Sequence, residues 1–354
     1  MKFKNGKGLE FYSALSKRID QYFSEKKISK TGNFEMRLKC GVLIVSFVSL
    51  YFIMLLVHAS PFVFLALVIL FGINSALIFF NLVHDASHNV LFQNRRINGL
   101  IKYMGDIVGV NSYIWHIRHD IQHHSFTKVL GGDLIIENLP ILRLSPHQKL
   151  RPIHRFQFYY APLLYSMYSL YWIFFLDFRF FCKKEICNIK VVNHPSIEWT
   201  KMVVFKAFYI IYMLVIPILV LPYSWTFILM TFIIMHILIG LIISLVSVLG
   251  HEVNGVNFPS VDINQTIDNS WSEHELETTA DFANSSIFLT WLIGGLNNHI
   301  CHHLFPDICH IHYKKLTPII KKYCAEHGYK FTDYSLLYSL KAHAKYLRTL
   351  SRNN

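Results

Sequence analysis

Residues 61–88 read PFVFLALVILFGINSALIFFNLVHDASH, an apolar run that ends in two histidines. The uncharged part, Pro61–Val83, has 23 residues, and a helix of ~20 apolar residues is long enough to cross a ~30 Å hydrocarbon core. His84 and His88 follow at once, and because they are four residues apart they share one face of a helix. The stretch therefore predicts a membrane-spanning helix that carries two imidazoles, suited to one metal ion, at one end.

The composition of the whole chain also indicates a membrane protein. Of its 354 residues, 53% are hydrophobic and only 16% are charged, with a mean hydropathy of +0.34, whereas a soluble domain has about 25% charged residues. These values exclude an ordinary soluble enzyme and a disordered chain. The net charge of +12 favours contact with anionic lipid headgroups, and we expect no nucleic-acid partner.

Three further segments have the length and polarity of membrane-spanning helices. Gly41–Val57 is uncharged and is separated from the first run only by His58–Ser60. Met202–Leu221 contains one charge, Lys206, close enough to its start for the amine to reach the interface, and Trp225–Gly250 contains none. The short links predict two helical hairpins, and the chain as a whole an all-α integral membrane fold with four transmembrane helices.

A fifth uncharged stretch, Phe156–Leu176, differs from these because ten of its 21 residues are aromatic. Aromatic side chains concentrate where a membrane meets water. One more crossing would also put the histidines after Gly250 on the opposite side of the membrane from those at 84–124. We therefore expect an interfacial or partly inserted helix here.

The distribution of basic residues predicts the orientation of the hairpins. Residues 1–39 contain ten Lys and Arg, and the links within both hairpins contain none. By the positive-inside rule, both termini and the large loops are cytoplasmic, and a bacterial inner membrane is favoured over the endoplasmic reticulum. The cysteines lack the spacing of a disulfide framework, so reduced thiols are predicted at Cys40, Cys182, Cys187, Cys301, Cys309 and Cys324.

These features predict a single domain over residues 1–354. Its parts are a cytoplasmic N-terminal segment (1–39), a first hairpin (41–83), a cytoplasmic and interfacial region (84–201), a second hairpin (202–250) and a cytoplasmic region (251–354). The cytoplasmic parts are expected to form a helical cap.

Histidine is unusually frequent in that cap, with 20 residues in the chain and most of them clustered. A single pair of histidines four residues apart more often consists of ordinary polar side chains, on the surface or in the core, than of metal ligands. Here three clusters and one further histidine lie at the cytoplasmic ends of the hairpins: His84, His88; His119, His123, His124; His299, His302, His303; and His251. So many converging imidazoles need a metal to satisfy them, and eight or nine suit two ions with four or five each. Imidazole alone does not choose between zinc, copper, iron and nickel.

The clusters resemble the three histidine boxes of the membrane fatty acid desaturase family in order, spacing and placement, over residues 80–315. His251-Glu252-Val253 and the Gly294–Asn297 stretch add weaker matches. The bacterial linoleoyl-CoA and front-end-type acyl desaturases are the most similar subgroup. Three positions depart from the pattern. His299 stands where front-end enzymes usually have glutamine, Asp120 where asparagine is usual, and Lys128 where asparagine is often found.

The resemblance implies an O2-dependent enzyme with a di-iron centre that introduces a cis double bond into an acyl chain carried on CoA, a carrier protein or a lipid. The iron ligands that the resemblance implies are His84, His88, His119, His123, His124, His251, His299, His302 and His303. Asp85, Asp120 and Asn298 would orient imidazoles. Spacing adds two further candidates. Ser247, one turn before His251, would hold a water at the metal, and His116, three residues before His119, would be a tenth ligand or, as we favour, form a hydrogen bond on the substrate side.

The resemblance also bears on partners. The chain has no His-Pro-Gly-Gly haem motif, since its nearest string is His194-Pro195-Ser196-Ile197, and we expect neither haem nor flavin bound to it. Two electrons must then come from a separate ferredoxin, or from cytochrome b5 with a reductase, drawn to a basic cytoplasmic face.

Two other functions remain open from the sequence. An acyl hydroxylase, an acetylenase or a carotenoid oxygenase can share the boxes. A metal transporter would need ionisable residues within the spans, but the four runs hold only Lys206 and His236. We expect His236 to form a neutral hydrogen bond between helices.

Overall fold

The computed structural model describes residues 1–4, 7–57, 59–133, 140–183 and 194–352, and the fold is almost entirely helical. His58 of the first link and Cys187 lie outside the described residues, while the other five cysteines are free thiols. The α-helices within these ranges are α1 (Lys7–Lys26), α2 (Phe34–Leu56), α3 (Pro61–Ile78), α4 (His84–Ser87), α5 (Arg95–Ile107), α6 (Ser112–Trp115), α7 (Gln157–Tyr171), α8 (Asp177–Phe181), α9 (Ser196–Ile210), α10 (Ile216–Val220), α11 (Trp225–His251), α12 (Trp271–Thr278), α13 (Ile287–Leu292), α14 (His299–Leu304), α15 (Tyr313–Glu326) and α16 (Leu336–Leu350).

Four helical segments of the described ranges are long and apolar enough to cross a membrane, as predicted. They are Phe34–Leu56, Pro61–Ser87, Ser196–Val220 and Trp225–His251. The first begins before the predicted start at Gly41, because Asn33 caps it by accepting a hydrogen bond from the Met36 amide (3.0 Å). Ser60 and Ser224 cap the second and fourth in the same way.

Short π-helical turns interrupt several helices. Phe79–Val83 joins α3 to α4, His116–His123 continues α6, Trp172–Leu176 joins α7 to α8, and Ile211–Val215 joins α9 to α10. Such turns shift the side chains that follow relative to an α-helix and are frequent at functional sites. Two of them lie directly before or within the histidine clusters.

Helix α7, which covers most of the aromatic stretch, packs against α11 and is not one of the four apolar segments. A side chain at Gly240 of α11 would meet the backbone carbonyl of Ser166, so the glycine permits the close approach. Ser169 of α7 donates a hydrogen bond to the His236 carbonyl (2.7 Å). How α7 lies relative to the bilayer remains a prediction.

His236 forms the neutral contact between helices that the sequence predicts. Its Nδ1 lies 3.0 Å from the Ser169 hydroxyl and its Nε2 lies 2.8 Å from the Tyr209 hydroxyl, so α11 is joined to α7 and α9. Each ring nitrogen is satisfied by a hydroxyl, and the arrangement requires no charge.

The cap has an apolar core of its own, formed where α1, α14 and α15 pack together. It contains Leu15, Ile300, Leu304, Leu316 and Ile320, all fully buried. Two short parallel strand pairs tie distant segments of the cap together, β1 (Lys2–Phe3) with β2 (Thr266–Ile267) and β3 (Asp281–Phe282) with β4 (Asp333–Tyr334). The histidine clusters lie between this core and the ends of the spans.

Candidate metal centre

Four separate elements deliver the predicted histidines to one place. Helix α4, which follows the π-helical turn after α3, carries His84 and ends at His88. The π-helix after α6 carries His119 and His123, and His124 follows it directly. His251 is the last residue of α11. The six-residue helix α14 contributes the remaining three, His299, His302 and His303. Nearly all of these side chains are buried, although they are far apart in the sequence.

The rings form two groups of four with ligand atoms no more than 4.8 Å apart. Tetrad 1 consists of His84, His88, His119 and His302. Tetrad 2 consists of His123, His251, His299 and His303. His124 groups with His302 and His303, and therefore lies between the tetrads. All nine predicted ligands are thus brought together.

Helical spacing predicts the grouping only in part. His84 and His88 share tetrad 1, as residues four apart in a helix should. His119 and His123 have the same spacing but belong to different tetrads. The segment His116–His123 is π-helical, so its turn is wider and a residue four positions on no longer lies directly above the first.

In tetrad 2 every ring is held at Nδ1 by an acceptor. His123 donates to Asp133 (2.9 Å) and His303 donates to Glu275 (2.7 Å). The backbone carbonyls of Thr278 and Leu296 accept from His251 (3.1 Å) and His299 (3.0 Å). Because Nδ1 carries the proton, Nε2 of each ring is left with its lone pair for a metal. The Nε2 atoms of His251 and His299 lie 2.9 Å apart, so they point at the same space.

In tetrad 1 the supports are fewer. His119 donates from Nδ1 to Asp120 (2.9 Å), and Nδ1 of His302 lies 3.2 Å from the Tyr313 hydroxyl. Nδ1 of His84 lies 3.7 Å from Asp85 and makes no hydrogen bond.

The unpaired nitrogens test whether these residues suit a metal. Buried imidazole nitrogens without a hydrogen-bond partner are costly, and natural structures contain few of them. Here Nε2 is buried and unpartnered in His84, His88, His124, His302 and His303. One ion in each tetrad would satisfy these atoms, with His124 beside both, so the donor set fits a pair of metals.

Comparison with known proteins agrees with this geometry. A family model for fatty acid desaturases matches residues 18–335. The chain belongs to the fatty acid desaturase family. It is 32% identical over 336 residues to an sn-1 linoleoyl-lipid 6-desaturase of Synechocystis sp., covering 94% of this chain and 92% of the relative. A protein of the same name from Arthrospira platensis is 30% identical over 349 residues, which cover 98% and 94% of the two chains.

A more distant relative is the acyl-lipid (8-3)-desaturase of Physcomitrium patens, 27% identical over 351 residues, 98% of this chain and 73% of the relative. The family and these relatives establish that the chain is a membrane enzyme that desaturates fatty acyl chains. They do not favour the hydroxylase, acetylenase or carotenoid oxygenase alternatives.

Burial favours the neutral form of six of the nine clustered imidazoles of the desaturase. It lowers the pKa of His88 to about 4 and that of His299 to about 3. The pKa values of His119, His124, His302 and His303 also fall well below the ordinary value, for the same reason. At neutral pH these rings are therefore in the unprotonated form that binds a metal.

Three of the predicted supporting residues contact the histidine network. Asp120 accepts from His119 and, at 2.6 Å, from Nδ1 of His116, so His116 pairs with a carboxylate that supports tetrad 1. Asp85 accepts from His310 (2.8 Å) and Cys309 (2.9 Å), and it approaches His84 only at 3.7 Å.

The other two have different surroundings. Among the described residues, the side chain of Asn298 bonds to Thr290, Asn297 and Thr317, and not to an imidazole. It supports α14 through its backbone carbonyl, which accepts from the His302 amide (3.1 Å). Ser247 is exposed, and it lines the cavity beside the tetrads.

Sequence reasoning missed three residues that each support one imidazole: Asp133, Glu275 and Tyr313. None has a helical spacing from the ring that it contacts, since Glu275 precedes His303 by 28 residues. The one available signal is chemical: each histidine Nδ1 needs a polar partner, and these carboxyl and hydroxyl groups can provide it.

A narrow cavity of about 60 Å³ opens onto histidines of both tetrads. Its walls are aromatic and apolar, and include Phe79, Trp115, Trp172 and Ile243. A second cavity, of about 20 Å³, shares Phe79, Trp172 and Ile243 with the first and continues between the spans to His236. The two cavities share lining residues between the histidines and His236, and most of that lining is apolar, as an acyl chain requires.

Proposed function

We propose that the desaturase introduces a double bond close to the carboxyl end of a lipid-bound polyunsaturated acyl chain, with two irons held by the nine histidines. The observation that carries the proposal is the common cavity, because one apolar path touches both tetrads. The relatives named as linoleoyl-lipid 6-desaturases support the choice of a lipid-bound linoleoyl substrate. As a working unit we propose a single domain of 354 residues.

The ligand sets follow from the tetrads. His84, His88, His119 and His302 would hold one ion, and His123, His251, His299 and His303 the other, with His124 between them. Bound iron would supply the activation of O2. The reaction removes two hydrogen atoms from the acyl chain and reduces O2 to two waters. Two of the four electrons come from the C–H bonds and two from the carrier, and two further protons come from water.

The protein itself would hold the imidazoles in place, orient the acyl chain and exclude water from the site. Asp133, Glu275 and the carbonyls at 278 and 296 hold the rings of tetrad 2 in one orientation. The walls of Phe79, Trp115 and Trp172 keep water from the reacting carbons and leave room for a chain and little else. A single orientation of the acyl chain then presents one pair of carbons to the metals.

We further propose that both termini and the histidines face the cytoplasm of a bacterium, where a reduced carrier is available. The excess of Lys and Arg in 1–39 supports that orientation. The donor is a separate protein, a ferredoxin or cytochrome b5 with its reductase. The basic surface would attract an acidic carrier.

The test is the fatty-acid profile of a host that expresses the chain and is supplied with linoleate. Gas chromatography–mass spectrometry of methyl esters should show a new trienoic acid with its extra bond on the carboxyl side of the existing ones. His302→Ala should abolish it, because His302 belongs to tetrad 1 and also groups with His124.

The matched control is His327→Ala, an exposed histidine outside the tetrads, which should retain the product. A hydroxylated acid instead of a trienoic one would contradict the proposal. So would purified wild-type protein that retains no iron while it is active, measured by inductively coupled plasma mass spectrometry.

A further inference from the structure

The cavity beside the tetrads is lined by two residues whose hydrogen-bond donors find no acceptor within the described ranges of the chain. Arg118 is buried, with 3% of its surface exposed, and its Nε and Nη1 atoms have no hydrogen-bond partner. Trp115 is 8% exposed, and its indole Nε1 is likewise unpartnered. Both residues line the same cavity as the histidines.

A buried guanidinium normally has a carboxylate beside it, because an unpaired charge of low exposure is costly. No carboxylate in the described part of the chain forms an ion pair with Arg118. Its partners are instead the faces of Phe180 (4.8 Å to the ring centre) and Trp172 (5.5 Å). Cation–π contacts offset part of the cost of burial, but they leave the N–H groups without acceptors.

Trp115 has a neighbour for comparison in the same cavity wall. The indole N–H of Trp172 donates to Asp177 (2.9 Å), as buried indoles usually do. The Trp115 ring lies flat against the imidazole of His119, with ring centres 4.3 Å apart. The unpartnered N–H therefore belongs to a ring that lies against a member of tetrad 1 and lines the cavity.

An acyl-lipid substrate can match these donors at one point only. Its chain is hydrocarbon, and its acceptors nearest to that chain are the oxygens of the ester. We propose that Trp115 and Arg118 bind the ester carbonyl of the substrate and so set the position of the double bond by counting from the carboxyl end. The inference rests on the proposed function for the identity of the substrate as an acyl ester.

The placement of the donors explains why the bond would form near the carboxyl end. Arg118 directly precedes His119, a member of tetrad 1. A carbonyl held there would lie near His119, whose ring stacks on that of Trp115 at 4.3 Å, and the rest of the acyl chain could then extend along the second cavity towards His236.

The test compares a linoleoyl ester of phosphatidylglycerol with the matched linoleyl ether, which lacks the carbonyl oxygen. Binding of each to the purified full-length protein in nanodiscs is measured by competition with a fluorescent acyl lipid. Wild-type protein should bind the ester about tenfold more tightly, the effect of one hydrogen bond to a charged donor. Trp115→Phe and Arg118→Gln should bring the ester-to-ether ratio close to one.

Arg179→Gln is the matched control, because Arg179 is exposed and outside the cavity, and it should keep the wild-type ratio. An unchanged ratio in both cavity variants overturns the inference. So does a variant that loses only its preference for phosphatidylglycerol over phosphatidylcholine, since that would show that Arg118 responds to the net negative charge of the headgroup and not to the ester.

Because binding is measured without turnover, the result does not depend on whether this lipid is desaturated. If wild-type protein does desaturate the ester, the bond position should be single in the wild type and mixed in Trp115→Phe. Failure of the wild type to desaturate this lipid would count against the proposed function, and the ester-to-ether ratio would still decide the inference.

Discussion

In tetrad 2 all four imidazoles donate from Nδ1 to an acceptor. In tetrad 1 two imidazoles do so, at 3.2 Å or less, while Nδ1 of His84 lies 3.7 Å from Asp85. The acceptors of tetrad 2 come from three separate parts of the cap, so its geometry depends on the tertiary fold. Those of tetrad 1 are Asp120, next to His119 in the sequence, and Tyr313, 11 residues after His302. The difference indicates that tetrad 2 is fixed by the fold and that tetrad 1 can adjust more easily.

The largest effect is expected where tetrad 2 loses a carboxylate. Glu275→Gln keeps the size of the side chain but replaces the carboxyl group that accepts from Nδ1 of His303 with an amide, and we expect a 10- to 100-fold loss of metal affinity or activity. Iron per chain and product formation together measure it. Glu277→Gln, on the exposed side of the same helix, should change neither, and equal losses in both variants would show that the effect is not specific to tetrad 2.

A smaller effect is expected for the carboxylate of tetrad 1. Asp120→Asn keeps a hydrogen-bond acceptor for His119, and we expect a loss of activity of about tenfold or less. The same two measurements apply, with Asp307→Asn on the surface as the control. If Asp120→Asn costs more than Glu275→Gln, the ranking of the two tetrads is wrong.

The smallest effect is expected for Tyr313→Phe, which removes only a hydroxyl 3.2 Å from His302. A neutral hydrogen bond contributes about 1 kcal/mol, so activity should fall about fivefold at most. Exposed Tyr338→Phe is the control. A complete loss of iron in Tyr313→Phe would show that tetrad 1 cannot adjust, contrary to the comparison.

The histidines and the spans could be predicted from sequence because both are local patterns. Uncharged runs of about 20 residues mark the spans, and residues four apart mark a shared face. The π-helix at His116–His123 could not be predicted, and so neither could the division of His119 and His123 between tetrads. The pattern is identical for an α-helix and a π-helix, and the packing around it decides between them.

The supporting residues show a second limit of local patterns. Asp120 was found because it adjoins a histidine, whereas Glu275 and Asp133 meet their rings only after the chain has folded. Asn298 also adjoins a histidine, yet at the start of α14 its side chain turns to Thr290 and Thr317. Adjacency in sequence is therefore a weak guide to which polar group holds an imidazole.

Helix α14 has a consequence for how the protein would acquire its metals. His302 belongs to tetrad 1 and the next residue, His303, to tetrad 2, so six residues of helix serve both positions. The first ion to bind would order that helix and with it the ligands of the second. Loading should then be cooperative, and at limiting iron the population should divide into empty and fully loaded chains, with few that carry one ion.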